Sequence, residues 1–345
     1  MKVTHIPGMG SFGAYVDDFE WDQPDAYKEL RDINMKTLLT VVRGKGQDNF
    51  MNLVEHAPNL VTRRPLRWSL KYNVTNPIPY LNDEERHSLE LYKHLLLGNH
   101  APGWHRVSGK TTDKGELMGI FGDTELDWHS NEFMSYDFQP LVVLYGAENM
   151  TNSATSFFQT VDWYNRQTES FRSELDSLIS ICKYEPRKVI PSGRDKDIEM
   201  VKLLNNVGED FKIPLVMNSP GGHRGLHFGH FVVGFEGLSE KENERILSIL
   251  RKYFFESGDE FDYWWPNDTG DLLLFDNSIM MHRRKMDPTL YGELSEMTKR
   301  LHTRIGHRVT GDYAGHEDYN GFLQDEYRAY RQKTIDKLLT GSWKN

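Results

Sequence analysis

The sequence predicts a mainly β fold, a sandwich or barrel decorated by helices, on three observations. Short runs rich in β-branched and aromatic residues, bounded by Gly, Pro, Asn or Asp, recur along the chain: Leu38–Val42, Pro140–Tyr145, Phe211–Met217, Leu226–Phe235, Asp271–Phe275 and Leu301–Ile305. The second half is strand-rich with one strong helix between strands, unlike the regular alternation of a βαβ fold. No Gly-rich dinucleotide or phosphate loop is present. Ser219-Pro220-Gly221-Gly222 lacks a following Lys-Ser/Thr and opens no helix, so it reads as a turn.

The helices have their own signatures. Asn82-Asp83-Glu84-Glu85 resembles a capping box, and the residues after it place Leu89, Tyr92, Leu95 and Leu96 on one face, with Gly98 as the stop. Residues 162–183 carry Phe171, Leu175, Leu178, Ile179 and Cys182 at helical spacing. This predicts a helix with Cys182 in the core, where no basic neighbour lowers its pKa. Ser239-Glu240-Lys241-Glu242 is a second capping box, opening a helix with Ile246, Leu247, Leu250 and Phe254 inward. A last amphipathic helix is expected over 323–339. With no repeat, low-complexity segment or Gly/Ser/Pro-rich linker, one domain over 1–345 is expected. It divides into a lead-in over 1–100, a β core over 101–315 with a helical insertion at about 160–210, and a C-terminal helix within 316–345.

Composition narrows the function. The 345 residues hold 41 Lys+Arg against 51 Asp+Glu, a net charge of −10, with 14 His and one Cys. One cysteine excludes an internal disulfide, a Cys-rich zinc site and a ligated iron–sulfur cluster. The negative charge gives no pull toward nucleic acid or anionic lipid. No apolar run approaches the roughly 20 residues of a membrane helix, and Met1–Asp18 lacks a basic-then-apolar leader. A cytoplasmic protein acting on a small molecule is expected, with homo-oligomerisation left open.

The histidines raise the question of a metal. His223, His227 and His230 in HRGLHFGH have helical spacing, which would suit a zinc hydrolase. Four glycines (Gly221, Gly222, Gly225 and Gly229) and the strand character of Leu226–Phe235 argue against a helix there, and on a strand His227 and His230 face opposite ways. The other candidate is Trp128-His129-Ser130-Asn131-Glu132 with the distant His282.

The second set lies in an ordered series. Gly119-Ile120-Phe121-Gly122 and Leu126-Asp127-Trp128-His129 come first. Trp264-Trp265-Pro266, Gly270-Asp271, Asp276-Asn277, His282, Arg300-Leu301-His302-Thr303-Arg304 and Gly311-Asp312 follow. Over roughly residues 100–315 this resembles the taurine-dioxygenase-like (TauD/TfdA-type) family of Fe(II)/2-oxoglutarate-dependent oxygenases. Leu38–Gly44 and Gly222-His223-Arg224-Gly225-Leu226 resemble further pieces of it. In that family W-H-x-D supplies two metal ligands, a His after the D-N strand end supplies the third, and a trailing R-x-x-H-R binds the co-substrate.

The resemblance implies a double-stranded β-helix, a jelly-roll-like fold with helical insertions. It implies hydroxylation of a small molecule, with 2-oxoglutarate and O2 consumed and succinate and CO2 released. It implies His129, Asn131 and His282 around Fe(II), with Arg300 on the distal carboxylate of 2-oxoglutarate. Thr155 would hydrogen-bond the co-substrate, and Arg304 would lie near its C1 carboxylate or an anionic substrate. Arg suits such a partner through its permanent charge and fork of donors. The competing reading of Arg300 and Arg304 is a solvated basic edge with Lys299 and Arg308.

Position 131 departs from the family, because Asn stands where the metal-binding Asp is expected. Four readings stand open. Asn131 ligates through its amide oxygen or holds a water; Asp127 or Glu132 replaces it; the vacancy takes a halide; or the centre is degenerate and the protein binds ligands without oxidising them. A second departure is the long polar segment Arg283–Glu296 before Arg300.

Overall fold

Two antiparallel sheets face each other, and the residues between them build the site. The computed structural model describes residues 1–46, 48–62, 79, 81–83, 86, 101, 103–110, 112–114, 118–119, 125–131, 139–151, 153–183, 185, 195, 198, 210–266, 270–286 and 304–316. The larger sheet has eight strands. They are β1 (Lys2–His5), β2 (Ala14–Asp17), β3 (Leu39–Val42), β4 (Val61–Thr62), β5 (His105–Ser108), β7 (Leu141–Glu148), β15 (Leu272–Asp276) and β17 (Ile305–Tyr313), ordered β1-β2-β3-β15-β7-β17-β4, with β5 also on β17. The smaller sheet holds β6 (Leu126–His129), β8 (Ser153–Gln159), β14 (Phe261–Trp264) and β16 (Met280–Met286), ordered β14-β8-β16-β6. Only β2 and β3 pair in parallel among these.

The middle of the larger sheet is covered on both faces, which is why its strands read as unbroken apolar runs such as LTVV and LLLF. Leu39, Val41, Val142, Leu273 and Phe275 point toward the smaller sheet. Val42, Leu141, Val143, Leu272, Leu274 and Val309 pack with Ala26, Tyr27 and Leu30 of α1 (Pro24–Thr37) and Leu53 of α2 (Phe50–His56). On the smaller sheet the period of two sorts neighbours to opposite sides. Phe157 meets Phe275 across the interior at 5.1 Å, while Phe158 meets Phe254 of α5 (Glu240–Glu256) at 4.9 Å on the outside.

Helix α5 follows its sequence closely. Ser239 accepts from the backbone of Glu242, the Glu242 carboxylate accepts from the Ser239 N–H, and Ile246, Leu247, Leu250 and Phe254 are buried. The helix expected over 162–183 is instead three elements: α3 (Val161–Asn165), α4 (Glu169–Asp176) and β9 (Ile179–Lys183). Thr168 restarts the chain as an N-cap, accepting from the Phe171 N–H at 3.3 Å. The error was one of period: Leu175, Leu178 and Cys182 suit a helix, but Ser180 and Cys182 are the buried alternate residues of a strand. Cys182 is fully buried, as expected, and burial pushes its thiol up.

Strand β9 lies between β10 (Asp210–Pro214) and β13 (Val232–Phe235). The run Leu226–Phe235 is broken, β12 (Arg224–Leu226) pairing with β11 (Val216–Asn218) around the expected turn at Ser219–Gly222. Gly221 is required there because a Cβ would come within 1.8 Å of the Met35 carbonyl oxygen. The strand expected at Leu301–Ile305 begins at Ile305. Of the helix expected after Asn82, the Arg86 N–H bond to the Asn82 carbonyl lies within the described residues. Its remainder, and the helix over 323–339, lie outside them. No described helix is long and apolar enough to cross a membrane.

Candidate active site

The last residue of β6 and the third of β16 are direct register partners, His129 opposite His282, with ring centroids 4.2 Å apart. Both point inward, while their neighbours Trp128 and Arg283 point outward and stack, the guanidinium 4.7 Å from the indole. The His129 Nδ1–H donates to the Asp127 carbonyl at 2.6 Å, which leaves the Nε2 lone pair exposed for a ligand. Burial pushes His129 down to about 4 and His282 well below 6.5, so both rings are neutral at pH 7 and able to donate to a metal.

Asn131 follows two residues after β6, and its backbone is clamped by Asn277. Its N–H donates to Asn277 Oδ1 at 2.8 Å, and its carbonyl accepts from Asn277 Nδ2 at 2.7 Å. That is the structural work of the Asn in the Asp276-Asn277 pair. The Asn131 side chain bridges two further residues: Oδ1 accepts from Arg308 Nη1 at 2.6 Å, and Nδ2 donates to His282 Nε2 at 3.2 Å. Arg308 lies on β17, in register with the inward Leu144 of β7, so it reaches the site from the opposite sheet.

The candidate anion clamp lies two residues along. Thr155 of β8 is the register partner of buried Arg284 on β16 and receives a hydrogen bond from Trp265 Nε1 at 3.0 Å. Having accepted there, the Thr155 hydroxyl keeps its proton for an anion. Ser153, on the same face, receives Arg304 Nη1 at 3.3 Å. Arg304 is 5% exposed and its buried Nε has no partner among the described residues. Burial pushes its pKa down to about 10, and no acidic side chain among the described residues offsets that burial.

Several expectations are corrected. Arg300 and Glu132 lie outside the described residues. Among the described residues the arginines that act on the histidines are Arg308 and Arg284, while Arg304 reaches Ser153; Arg304 and Arg308 are both buried, so neither belongs to a solvated edge. Arg304-Ile305-Gly306-His307-Arg308 satisfies R-x-x-H-R, whereas Arg300–Arg304 places its His one position early. Asp127 does not replace Asn131, because its carboxylate faces outward onto His230 at 2.9 Å and accepts from the Trp128 N–H.

His223, His227 and His230 do not converge. His223 meets the Lys36 carbonyl, His227 the Ser278 carbonyl and His230 the Asp127 carboxylate, which removes the zinc-hydrolase arrangement. Among the described residues no three His, Cys, Asp or Glu side chains group to hold a metal. Among the described residues the donor set available to one is two imidazoles and the Asn131 amide. Sequence reasoning gave Arg308 only as part of a basic edge, although the motif spacing could have placed it in the site; it marked Trp265 within Trp264-Trp265-Pro266 without a role, and it missed Ser153, which no local pattern marks.

Comparisons with known proteins agree with this architecture. A family model described as taurine catabolism dioxygenase TauD, TfdA family matches residues 18–305. Among solved structures, AAD-2 in complex with Mn(II) and N-oxalylglycine superposes with a TM-score of 0.57 at 14% identity, over 90% of this chain and 96% of that one. A putative alpha-ketoglutarate-dependent taurine dioxygenase from Burkholderia xenovorans superposes with a TM-score of 0.56 at 17% identity, over 90% of both chains. A taurine dioxygenase from the same organism gives 0.56 at 15% identity, over 90% of this chain and 89% of that one. No curated protein matches in sequence. The paired sheets are thus a double-stranded β-helix, and the chain belongs to the TauD/TfdA family of 2-oxoglutarate-dependent dioxygenases.

Proposed function

We propose that this protein oxidises a small molecule with Fe(II) and 2-oxoglutarate, the neutral imidazoles of His129 and His282 holding the metal. The observation that carries this reading is Arg304. A guanidinium buried without an acidic partner among the described residues is a costly feature unless an anion completes it. Arg304, with the hydroxyls of Ser153 and Thr155, is where the distal carboxylate of 2-oxoglutarate binds, and Arg300 is not needed for it. Trp265 keeps the Thr155 proton directed to that carboxylate. When bound, Fe(II) and 2-oxoglutarate would supply, with O2 as the oxidant, oxidative decarboxylation to succinate and CO2 coupled to oxidation of a substrate C–H bond, one oxygen atom going to succinate and the other to the substrate.

The test is anaerobic titration with Fe(II) and 2-oxoglutarate, followed by exposure to air. A weak visible charge-transfer band and then succinate are expected. Absence of both the band and bound metal sinks the oxygenase reading. A second reading, ligand binding without oxidation, draws on Asn131, which leaves two histidines and no carboxylate among the described residues at the centre. That reading predicts co-substrate binding with no succinate.

A further inference from the structure

The Asn131 carboxamide has one acceptor and one donor end, and its two neighbours dictate which faces where. Arg308 can only donate, so it takes the oxygen. The NH2 group is then left against His282 Nε2, on the lone pair that a metal would use. Asn277 holds the Asn131 backbone from both sides, so the amide can change only by rotating its own side chain. Rotation by half a turn would bring the oxygen toward His282, where a cation between them satisfies both. It would also push the NH2 group against the Arg308 guanidinium, donor against donor. An aspartate would face no such choice, because one carboxylate oxygen can meet Arg308 while the other meets a metal.

We propose that Arg308 is a positioning residue that locks the Asn131 amide oxygen away from the metal position, so that this chain binds its metal weakly until the lock is released. The inference rests on the oxygenase reading. It answers the question left open at position 131: the amide oxygen is present but committed elsewhere. Release requires the guanidinium to be drawn off by another acceptor, and a carboxylate group entering the site is the chemistry that would do so.

The experiment measures Mn(II) binding by the EPR signal of the free ion, without turnover. The proteins are the unvaried chain, Arg308→Met, Asn131→Ala, the Arg308→Met/Asn131→Ala double variant and Asn131→Asp. Arg308→Met is expected to bind Mn(II) about tenfold tighter, and Asn131→Asp tighter still. With Ala at 131 the gain from Arg308→Met should largely vanish. A merely structural Arg308 would weaken binding when removed, and a purely Coulombic one would give the same gain with Ala at 131; either result overturns the proposal.

If Asn131→Asp binds tightly while Arg308→Met gains nothing, the lock fails and the oxygenase reading survives. If no protein in the set binds Mn(II), both fall. A measurement independent of variant folding is the 15N spectrum of the unvaried protein. The Asn131 NH2 pair, assigned by its loss in Asn131→Asp, should be protected and hydrogen-bonded to a His ring nitrogen; a freely exchanging pair overturns the lock.

Discussion

Arg304 illustrates how a single residue can be unfavourable for the fold and necessary for the site. Among the described residues the one hydrogen bond of its guanidinium is the long contact to Ser153, and its buried Nε has no partner there. Replacing a buried, poorly compensated charge with a side chain of similar length often stabilises a protein by about 1–4 kcal/mol. Arg304→Met is therefore expected to melt a few degrees higher than the unvaried chain when no co-substrate is present. The unvaried chain should gain stability on adding 2-oxoglutarate with Mn(II), and the variant should lose that gain. Differential scanning calorimetry in the two conditions checks both halves. A variant that melts lower and still responds to 2-oxoglutarate would place the clamp elsewhere.

The elements differ in how far local sequence determines them. Helix α5 is locally complete, with a reciprocal cap and an apolar stripe, so its bounds and inward face were legible beforehand. Ser239→Ala removes an acceptor for the Glu242 N–H and should cost about 1 kcal/mol, read as a lower urea midpoint at unchanged m-value. An unchanged midpoint would mean that the cap contributes nothing beyond solvent. The segment after Thr160 was less legible because its apolar residues satisfy two periods at once, and pairing of β9 with β10 and β13 decides between them. The site shows the same division. His129 and His282 were marked through the resemblance to the family's motifs, and the core strands through their β-branched and aromatic runs. The contacts of Arg308 and Trp265 arise from register between distant strands, which no window of sequence contains. Arginines four apart occur at both Arg300–Arg304 and Arg304–Arg308, and only the position of the intervening histidine favours the second match.

For the molecule as a whole, several buried groups make stability depend on pH, with opposite signs. Burial pushes His227 and His307 down to about 4, so the folded protein holds them neutral. Unfolded, each takes a proton near its ordinary 6.5. Their contribution is complete above pH 6.5 and is lost as the pH falls toward 4, at about 1.4 kcal/mol per pH unit for each proton. His129 and His282 add in the same direction. Asp276 opposes them. It is fully buried at the β15–β16 turn, where Oδ1 accepts from the Ser278 and Ile279 N–H groups and the buried Oδ2 has no hydrogen-bond donor at ordinary geometry among the described residues. Burial pushes its carboxyl up to about 7 against an ordinary 3.8. The folded protein therefore holds a proton there that the unfolded chain releases, and this group favours the fold increasingly as the pH drops from 7 toward 4. The histidines outnumber it, so the net expectation is a protein that loses stability in acid, less steeply than its histidines alone dictate. Asp276→Asn keeps the acceptor for the two backbone N–H groups and removes the titration. It should be more stable than the unvaried chain at pH 8 and should lose stability more steeply between pH 7 and pH 5. Urea midpoints at pH 5, 6, 7 and 8 measure both slopes, and parallel curves would show that Asp276 is ionised in the fold and that its turn, not its proton, is what the structure needs.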